Sequence, residues 1–261
     1  MKKILLLLAT LSSLIIARND IPSCYDALKM DGPKGAAQDE LFVLVDQTTV
    51  LDKNMMKFIK NGNAVTIASF SANSNGKYTD IPYSGKLEEL FPDSKKHSTS
   101  KKVLRKYEGC MNGQYKYAKR KATKALVHVL KGANKKLPHS DIVKSLADIA
   151  KNIIATSKSK HKTVLLVSDM MEHSSITSFY SKGGLKKVST DKEMSKIEKS
   201  GYMANFSGAD VYVIGTGMAG KESYRDSKTL KALTSFWESY FSKSNAHLKA
   251  IGTPMLLEDV K

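Results

Sequence analysis

The hydrophobic and polar positions of this chain follow two alternating patterns. Short apolar runs predict buried strands. These runs lie at about 41–46, 64–71, 162–169, 209–217 and 247–252. Elsewhere, apolar residues recur every three or four positions, the spacing that predicts amphipathic helices. These segments lie at about 49–62, 115–136, 142–157, 192–206 and 227–244.

This alternation predicts the fold class α/β, with a doubly wound, mostly parallel sheet that carries helices on both faces. A chain of 261 residues can bury one large core of this kind. We expect one domain over 41–261, preceded by an irregular lead-in over 18–40. Within the domain, the segment at about 73–113 is rich in Asn, Ser, Gly, Pro and Lys and predicts an insertion.

The first 17 residues predict an export signal. Two lysines precede an apolar stretch from Ile4 to Ile16, and Ala17 follows that stretch. A run of this length is too short to span a bilayer comfortably, and a basic start before a short apolar region is typical of a signal peptide. We therefore expect 1–17 to be removed, and the mature protein to be periplasmic or secreted.

The chain has two cysteines, Cys24 and Cys110. In an oxidising compartment they could pair, closing a loop of about 86 residues that is worth about 4 kcal/mol in the chain-entropy model. Their spacing is equally compatible with two unpaired thiols, so the sequence leaves both states open.

Positive charge is concentrated in one segment. The formal net charge is +17, and the window 95–136 holds 14 Lys and Arg against a single acid. The helical spacing of its apolar residues leaves Lys116, Lys119, Arg120 and Lys124 on the outer face. This face is either simply solvated or a docking surface for an anionic partner. For an exported protein the candidate partners are anionic lipid, a surface polysaccharide or an acidic protein, and nucleic acid is disfavoured.

Two of the predicted strands end on an acid. Asp46 closes "LFVLVD" and Asp169 closes "KTVLLVSD". Ligands bind at the carboxyl ends of the strands in open α/β sheets, so the two carboxylates are expected to converge there if their strands are neighbours. Nearby carboxylates repel each other unless they share a cation or a proton. Because carboxylate and hydroxyl oxygens are hard ligands, the two acids and Thr48 predict a site for a divalent cation such as Mg²⁺, Mn²⁺ or Ca²⁺.

The order of elements and these residues resemble the von Willebrand factor type A domain. The metal-ion-dependent adhesion site of that family has a first loop of the form Asp-x-Ser/Thr-x-Ser, a Thr before a helix, and an Asp after a later strand. In "DQTTV", Asp46 and Thr48 match the first loop, whereas Val50 replaces its last hydroxyl residue. Ser140 stands before a helix in the position of the family's Thr, and Asp169 follows the strand "TVLLVSD".

The resemblance covers roughly residues 40–252 and implies a ligand set and a function. The implied metal ligands are Asp46, Thr48, Ser140 and Asp169, with Mg²⁺ or Mn²⁺ as the cofactor and water in place of the missing hydroxyl. The implied function is not enzymatic. It is that of an exported adhesion or protein-interaction module, in which an acidic residue of an unidentified partner completes the coordination of the metal.

Three other interpretations stay open at this point. Ser140 and Thr48 are good helix N-caps, which would explain them without a metal. Haloacid dehalogenase-like phosphatases carry Asp-x-Asp-x-Thr/Val after their first strand. "DQTTV" matches this pattern at Asp46, the nucleophile, and at Val50, but has Thr48 where the acid/base Asp belongs. A basic protein that binds an anionic polymer or a membrane surface is the third interpretation.

Overall fold

The structure, a computed structural model, describes residues 19–46, 59–70, 79–131, 140–181, 184–219, 224–252 and Val260. The described strands are β1 (Asp39–Asp46), β2 (Ala64–Phe70), β3 (Thr79–Lys86), β4 (His161–Val167), β5 (Tyr180–Ser181), β6 (Gly184–Leu185), β7 (Ala209–Ile214) and β8 (Ala246–Gly252). The described α-helices are α1 (Cys24–Leu28), α2 (Asp93–Lys96), α3 (Lys101–Lys131), α4 (Ile142–Ile149), α5 (Thr190–Ser200) and α6 (Ser227–Lys243). A π-helical turn, Ala150–Ile154, continues α4.

Six strands form one sheet in the order β3-β2-β1-β4-β7-β8. All neighbouring strands in it are parallel except β3, which runs antiparallel to β2 at the edge. The predicted α/β class with a mostly parallel sheet is therefore confirmed. The strand order reverses between β1 and β4, because the chain builds one half of the sheet outward from β1 and the other half outward from β4. Their carboxyl ends flank the crevice in which sheets of this kind bind ligands.

One face of the sheet packs against α4, α5 and α6. Phe42 and Leu44 of β1 point into this layer, and both are at most 1% exposed. The α6 aromatics Phe236, Trp237 and Tyr240 are fully buried here, as their helical spacing predicts. Because helices cover both faces, the central strands β1 and β4 carry the continuous apolar runs 41–45 and 164–167 rather than an alternating pattern.

Helix α3 covers part of the other face. Its small residues Ala118, Ala122 and Ala125 pack with the strand residues Val43 and Ile67 in one buried cluster. Small side chains let the helix approach the sheet closely, which leaves its long cationic side chains on the outside.

The first half of α3 packs against the N-terminal segment instead of the sheet. Cys110 of α3 forms a disulfide with Cys24 of α1, with 5.8 Å between their Cα atoms. Tyr25, Tyr107 and Met111 form a small apolar cluster beside it. The structure thus resolves the state of the two cysteines, which the sequence left open.

The range predicted as an insertion, about 73–113, contains the edge strand β3 and the first part of α3. The apolar pattern missed β3 because an edge strand is partly solvated, and Pro82 is tolerated there since it removes a donor only at the edge. The predicted signal peptide 1–17 and most of the predicted helix at about 49–62 lie outside the described residues. No helix in the described part of the chain is both long and apolar enough to cross a membrane.

Candidate functional site

Asp46 and Asp169 lie at the same edge of the sheet. Asp46 is the last residue of β1, and the register of β1 with β4 places Val45 beside Val167, two residues before Asp169. Asp46 is 3% exposed, and its Oδ2 accepts a 2.7 Å hydrogen bond from the Ser168 hydroxyl. Asp46 is therefore hydrogen-bonded to the loop that carries Asp169.

The loop after β4 is a tight turn that the core holds in place. Met170 has a φ of 59°, a left-handed conformation that residues other than glycine rarely adopt. Its amide donates to the Ser168 hydroxyl at 2.9 Å, and its carbonyl accepts from the indole Nε1 of Trp237 at 2.9 Å. The Met171 amide donates to Oδ1 of Asp169, also at 2.9 Å. Backbone strain of this kind is a common feature of functional sites.

The loop after β7 closes the site from the other side. The Gly217 amide donates to the carbonyl of Asp169 at 2.8 Å, and the Gly217 carbonyl accepts from the amide of Arg225 at 2.9 Å. Gly217 has a φ of 72°, and a Cβ at this position would lie 2.2 Å from a side-chain carbon of Leu230. The positive φ favours glycine here, and the backbone of Gly217 brings Arg225 close to the acid.

Asp169 sits in an environment that penalises its charge. The side chain is half-buried, and burial raises its pKa against the opposing effects of the Met171 amide and the Arg225 guanidinium. Burial also raises the pKa of Tyr180, with a further contribution from Asp169, whereas Arg225 lowers it. Asp169, Tyr180 and Arg225 therefore form one electrostatically coupled group at the carboxyl edge.

Ser140 lies beside the same loop. Its backbone pairs with that of His173 through two N–H to O=C hydrogen bonds of 3.1 and 3.0 Å. The N-cap position of α4 is Asp141, so Ser140 is not the N-cap. The amide of Val143 in the first turn of α4 instead donates to the carboxyl Oε2 of Glu172 at 2.9 Å.

Glu172 is fully buried, although only two residues separate it from Asp169. Burial raises its pKa to about 8, against the favourable effects of Ser174 and of the Val143 amide. The group therefore binds its proton much more tightly than an exposed glutamate does. It holds the start of α4 against the loop and is too deep to reach a ligand.

The structure describes three of the four predicted metal ligands. Asp46 and Asp169 flank the crevice and Ser140 is held next to their loop, whereas Thr48 and the replaced position Val50 lie outside the described residues. Among the described residues no group of three or more His, Cys, Asp and Glu side chains could hold a metal ion. A cation at this edge would therefore depend on hydroxyl and water ligands as well as on the two acids.

Sequence reasoning missed Ser168 and Arg225. Ser168 has a local signal, because a hydroxyl residue directly before a strand-end acid faces the neighbouring strand end. Arg225 has no such signal in the sequence, because only the hydrogen bonds of the Gly217 backbone to Asp169 and Arg225 bring it to the site.

A second concave region lies at the opposite, amino end of the sheet. This cleft has a volume of about 620 Å³, and its lining includes Asp39, Lys60, Asp210 and His247. Its acids already have cationic neighbours, with Lys60 Nζ 3.8 Å from Asp39 and Lys249 Nζ 3.3 Å from Asp210. Parallel α/β sheets bind their ligands at the other end, so the carboxyl edge remains the candidate site.

Comparison with known proteins gives structural neighbours but no family. No family model matches the chain, and no curated protein matches it. An aerotolerance-related membrane protein from Bacteroides fragilis NCTC 9343 is similar over 83% of this chain and 90% of its own, with a TM-score of 0.35 and 12% identity. The pilus adhesin SpaC from Lactobacillus rhamnosus GG, in its open conformation, is similar over 82% of this chain and 31% of its own, with a TM-score of 0.34 and 10% identity.

Proposed function

We propose that this chain is an exported, von Willebrand factor A-like interaction module that binds a protein partner through a divalent cation at the carboxyl edge of its sheet. The observation that carries the proposal is the position of Asp46 and Asp169 at the ends of β1 and β4, where the strand order reverses. Ligands of open α/β sheets bind at this point. The motifs "DQTTV" and "TVLLVSD" supply the resemblance to the family.

The side chains at this edge suit a hard cation. Asp46 and Asp169 would supply carboxylate oxygens, Ser140 and Thr48 would supply hydroxyls, and water would complete the shell of a Mg²⁺ or Mn²⁺ ion. Burial raises the pKa of Asp169, and a cation beside this partly buried carboxylate would offset that effect by favouring its ionised form. When bound, the cation would offer a coordination position to an acidic side chain of the partner protein.

Arg225 limits the affinity of the proposed site. Its guanidinium already stabilises the charged form of Asp169, so part of the role of a metal is taken by a fixed positive charge. Two positive charges near one carboxylate repel each other. We therefore expect weak binding of Mg²⁺ or Mn²⁺, and tighter binding after Arg225→Gln.

The disulfide supports export. Cys24 and Cys110 are paired, and structural disulfides persist in oxidising compartments such as the periplasm or the extracellular space. Intact-mass measurement on protein from the exported fraction tests this directly. Loss of 1–17 is the expected result, and a retained Met1 in a cytoplasmic fraction would contradict it.

Metal titration tests the site itself. Thermal unfolding of the full chain would be followed with increasing Mg²⁺ or Mn²⁺, and binding of Mn²⁺ would be followed by the loss of the free-ion EPR signal. Stability should rise by about 2.7 kcal/mol at a free metal concentration about a hundred times the Kd. Asp46→Asn and Asp169→Asn should each abolish the rise, while Asp31→Asn, a substitution of an exposed acid, should leave it unchanged. Equal responses of all variants, or no Mn²⁺ binding at millimolar concentration, would refute the metal site.

A further inference from the structure

Helix α3 presents a positive surface that the rest of the described chain does not neutralise. The helix contains ten Lys and Arg and one acid, Glu108, and all ten cationic side chains are exposed. None of the ten forms an ion pair with another described residue. The nearest compensation is the ring of Tyr117, whose centroid lies 5.5 Å from the Arg120 guanidinium and 5.6 Å from Lys121 Nζ.

The cations follow the face of α3 that points away from the sheet. Lys116, Arg120 and Lys124 are spaced four residues apart and lie opposite the buried alanines. Lys102 and Arg105 continue this face toward the start of the helix. A helix of 31 residues is about 46 Å long, so the charged face is extended rather than a local patch. Long linear arrays of positive charge suit a planar or polymeric anion better than a small one.

Within the described part of the chain, no atom covers the middle of this face. Gly109 and Gly113 lie between the two groups of cations, and a Cβ at either position would meet no atom of the described residues within 4 Å. Val127, 43% exposed, and Tyr115, 38% exposed, are the large apolar side chains of α3 that reach solvent. A flat anionic surface can therefore approach the helix backbone without displacing protein groups.

The buried face of α3 defines how such a surface could bind. Ala118, Ala122, Ala125 and Val129 are occupied by packing on the sheet, so the helix cannot insert an apolar face into a bilayer. Binding would be electrostatic and would take place at the level of lipid headgroups.

The disulfide distinguishes between the anionic partners. Cys110 lies within α3 itself and is bonded to Cys24. Disulfides persist in oxidising compartments outside the cytosol. In those compartments membrane leaflets are present, and nucleic acid is not the prevailing polyanion. The helix that carries the positive charge therefore also contains the disulfide that indicates an oxidising compartment.

We propose that the outer face of α3 binds anionic phospholipid headgroups and holds the protein at a membrane surface. The proposal does not depend on the metal site, which lies at the carboxyl edge of the sheet. Each Lys or Arg near an anionic leaflet contributes about a fivefold gain in binding constant, so several cations acting together give stable but salt-sensitive attachment.

Vesicle binding with matched charge variants tests the proposal. The probe is the protein purified from the exported fraction with its disulfide intact, sedimented with vesicles of phosphatidylglycerol mixed with phosphatidylcholine, and with phosphatidylcholine alone. The test variant reverses four cations of α3 to Glu, namely Lys116, Lys119, Arg120 and Lys124. The control variant makes the same change in net charge on α5 and α6, which cover the other face of the sheet, by reversing the exposed Lys192, Lys199, Lys228 and Lys231.

The wild type should bind the anionic vesicles and not the phosphatidylcholine vesicles, and added salt should release it. The α3 variant should lose at least about a hundredfold in affinity, whereas the control should lose less than about tenfold. Equal losses would show that only net charge matters, and absence of vesicle binding at low salt would overturn the proposal. Tighter binding to duplex DNA than to anionic vesicles would instead identify α3 as a nucleic-acid surface.

A fluorescent reporter tests which face makes the contact. Val127→Trp places an indole on the outer side of α3, and Trp237, the sole native tryptophan, is fully buried. The emission of the new indole should shift to the blue on anionic vesicles and stay unchanged on neutral ones. Binding without a shift would place the contact on another surface and refute the assignment to α3. Since this variant retains every cation, the result does not depend on whether the charge-reversal variant folds.

Discussion

The hydroxyl of Ser168 donates a 2.7 Å hydrogen bond to Oδ2 of the buried Asp46, and this bond joins the carboxyl ends of β1 and β4. The same hydroxyl accepts the amide of Met170, so one side chain fixes both the acid of β1 and the left-handed turn after β4. Ser168 therefore holds both the Asp46 carboxylate and the turn that follows Asp169.

Removing this hydroxyl should loosen both acids. Ser168→Ala is expected to lower the free energy of unfolding by about 2 kcal/mol, because it removes one hydrogen bond from the buried Asp46 carboxylate and the acceptor of the Met170 amide. The measurement is urea unfolding of Ser168→Ala, Asp46→Asn and the double variant. A coupling energy of about 1 kcal/mol between the two sites is expected. Strictly additive effects would show that the bond contributes nothing specific.

Glu193 should be a larger source of stability than the surface ion pairs. Its carboxylate is 4% exposed and lies 2.9 Å from Lys186 Nζ and 2.7 Å from Lys196 Nζ. Burial alone would raise its pKa, but hydrogen bonds from Lys196, Thr177 and Lys186 outweigh that effect and lower the pKa to about 2. Because the folded-state pKa is depressed, the contribution is present above the ordinary value of 4.5 and is lost as the pH falls toward 2.

Glu193→Gln is therefore expected to cost about 2 to 3 kcal/mol at neutral pH, with the difference from wild type shrinking in acid. The matched control is Glu198→Gln, which removes the half-exposed pair with Lys243 and should cost less than about 1 kcal/mol. Urea unfolding at several pH values measures both. Equal costs for the two variants would contradict the assignment.

The disulfide should stabilise the whole fold against unfolding, although it directly holds only α1 against α3. Cys24→Ser with Cys110→Ser is expected to lower the free energy of unfolding by about 4 kcal/mol, because the bond closes a loop of about 86 residues in the unfolded chain. Locally, α1 should separate from α3, as seen by faster amide exchange around Tyr25. Unchanged stability on addition of a reductant would show that the thiols are not paired in solution.

A phosphatase activity is not expected. Asp46 would have to act as nucleophile, yet Thr48 occupies the position of the acid that would protonate the leaving group. Hydrolysis of a generic phosphomonoester in Mg²⁺ should be the same for the wild type and for Asp46→Asn. Clear turnover that disappears in the variant would replace the adhesion proposal with an enzymatic one.

The parts of the fold that the sequence predicts are those with uniform burial. β1 and β4 are covered on both faces, so their apolar runs are unambiguous, and the order of strands and helices follows from them. β3 lies at an edge with mixed burial and gives no such run. The first half of α3 was missed because Tyr107 and Met111 pack on the N-terminal segment, a contact between residues far apart in sequence.

The candidate site follows the same rule. Asp46 and Asp169 were predictable because each ends an apolar strand, and topology alone places such ends together. Arg225 and Glu172 act through contacts that exist only once the loops have closed on one another. A single sequence carries no periodic signal for contacts of this kind.

Glu172 should make the stability of this protein fall as the pH rises. Burial raises its pKa from the ordinary value of 4.5 to about 8, so the folded state keeps a proton that the unfolded state releases. The stability that this proton provides is complete below about pH 4.5 and is lost as the pH rises to about 8.

Glu172→Gln retains an acceptor for the Val143 amide but cannot ionise. Its stability relative to wild type should therefore be flat in acid, increase steadily through this window and level off above it. Glu238→Gln, which removes an exposed carboxylate from α6, should show no such increase in urea unfolding at the same pH values. A difference between Glu172→Gln and wild type that does not change with pH would mean that the buried carboxyl does not titrate in this range, and its role would then be limited to capping α4.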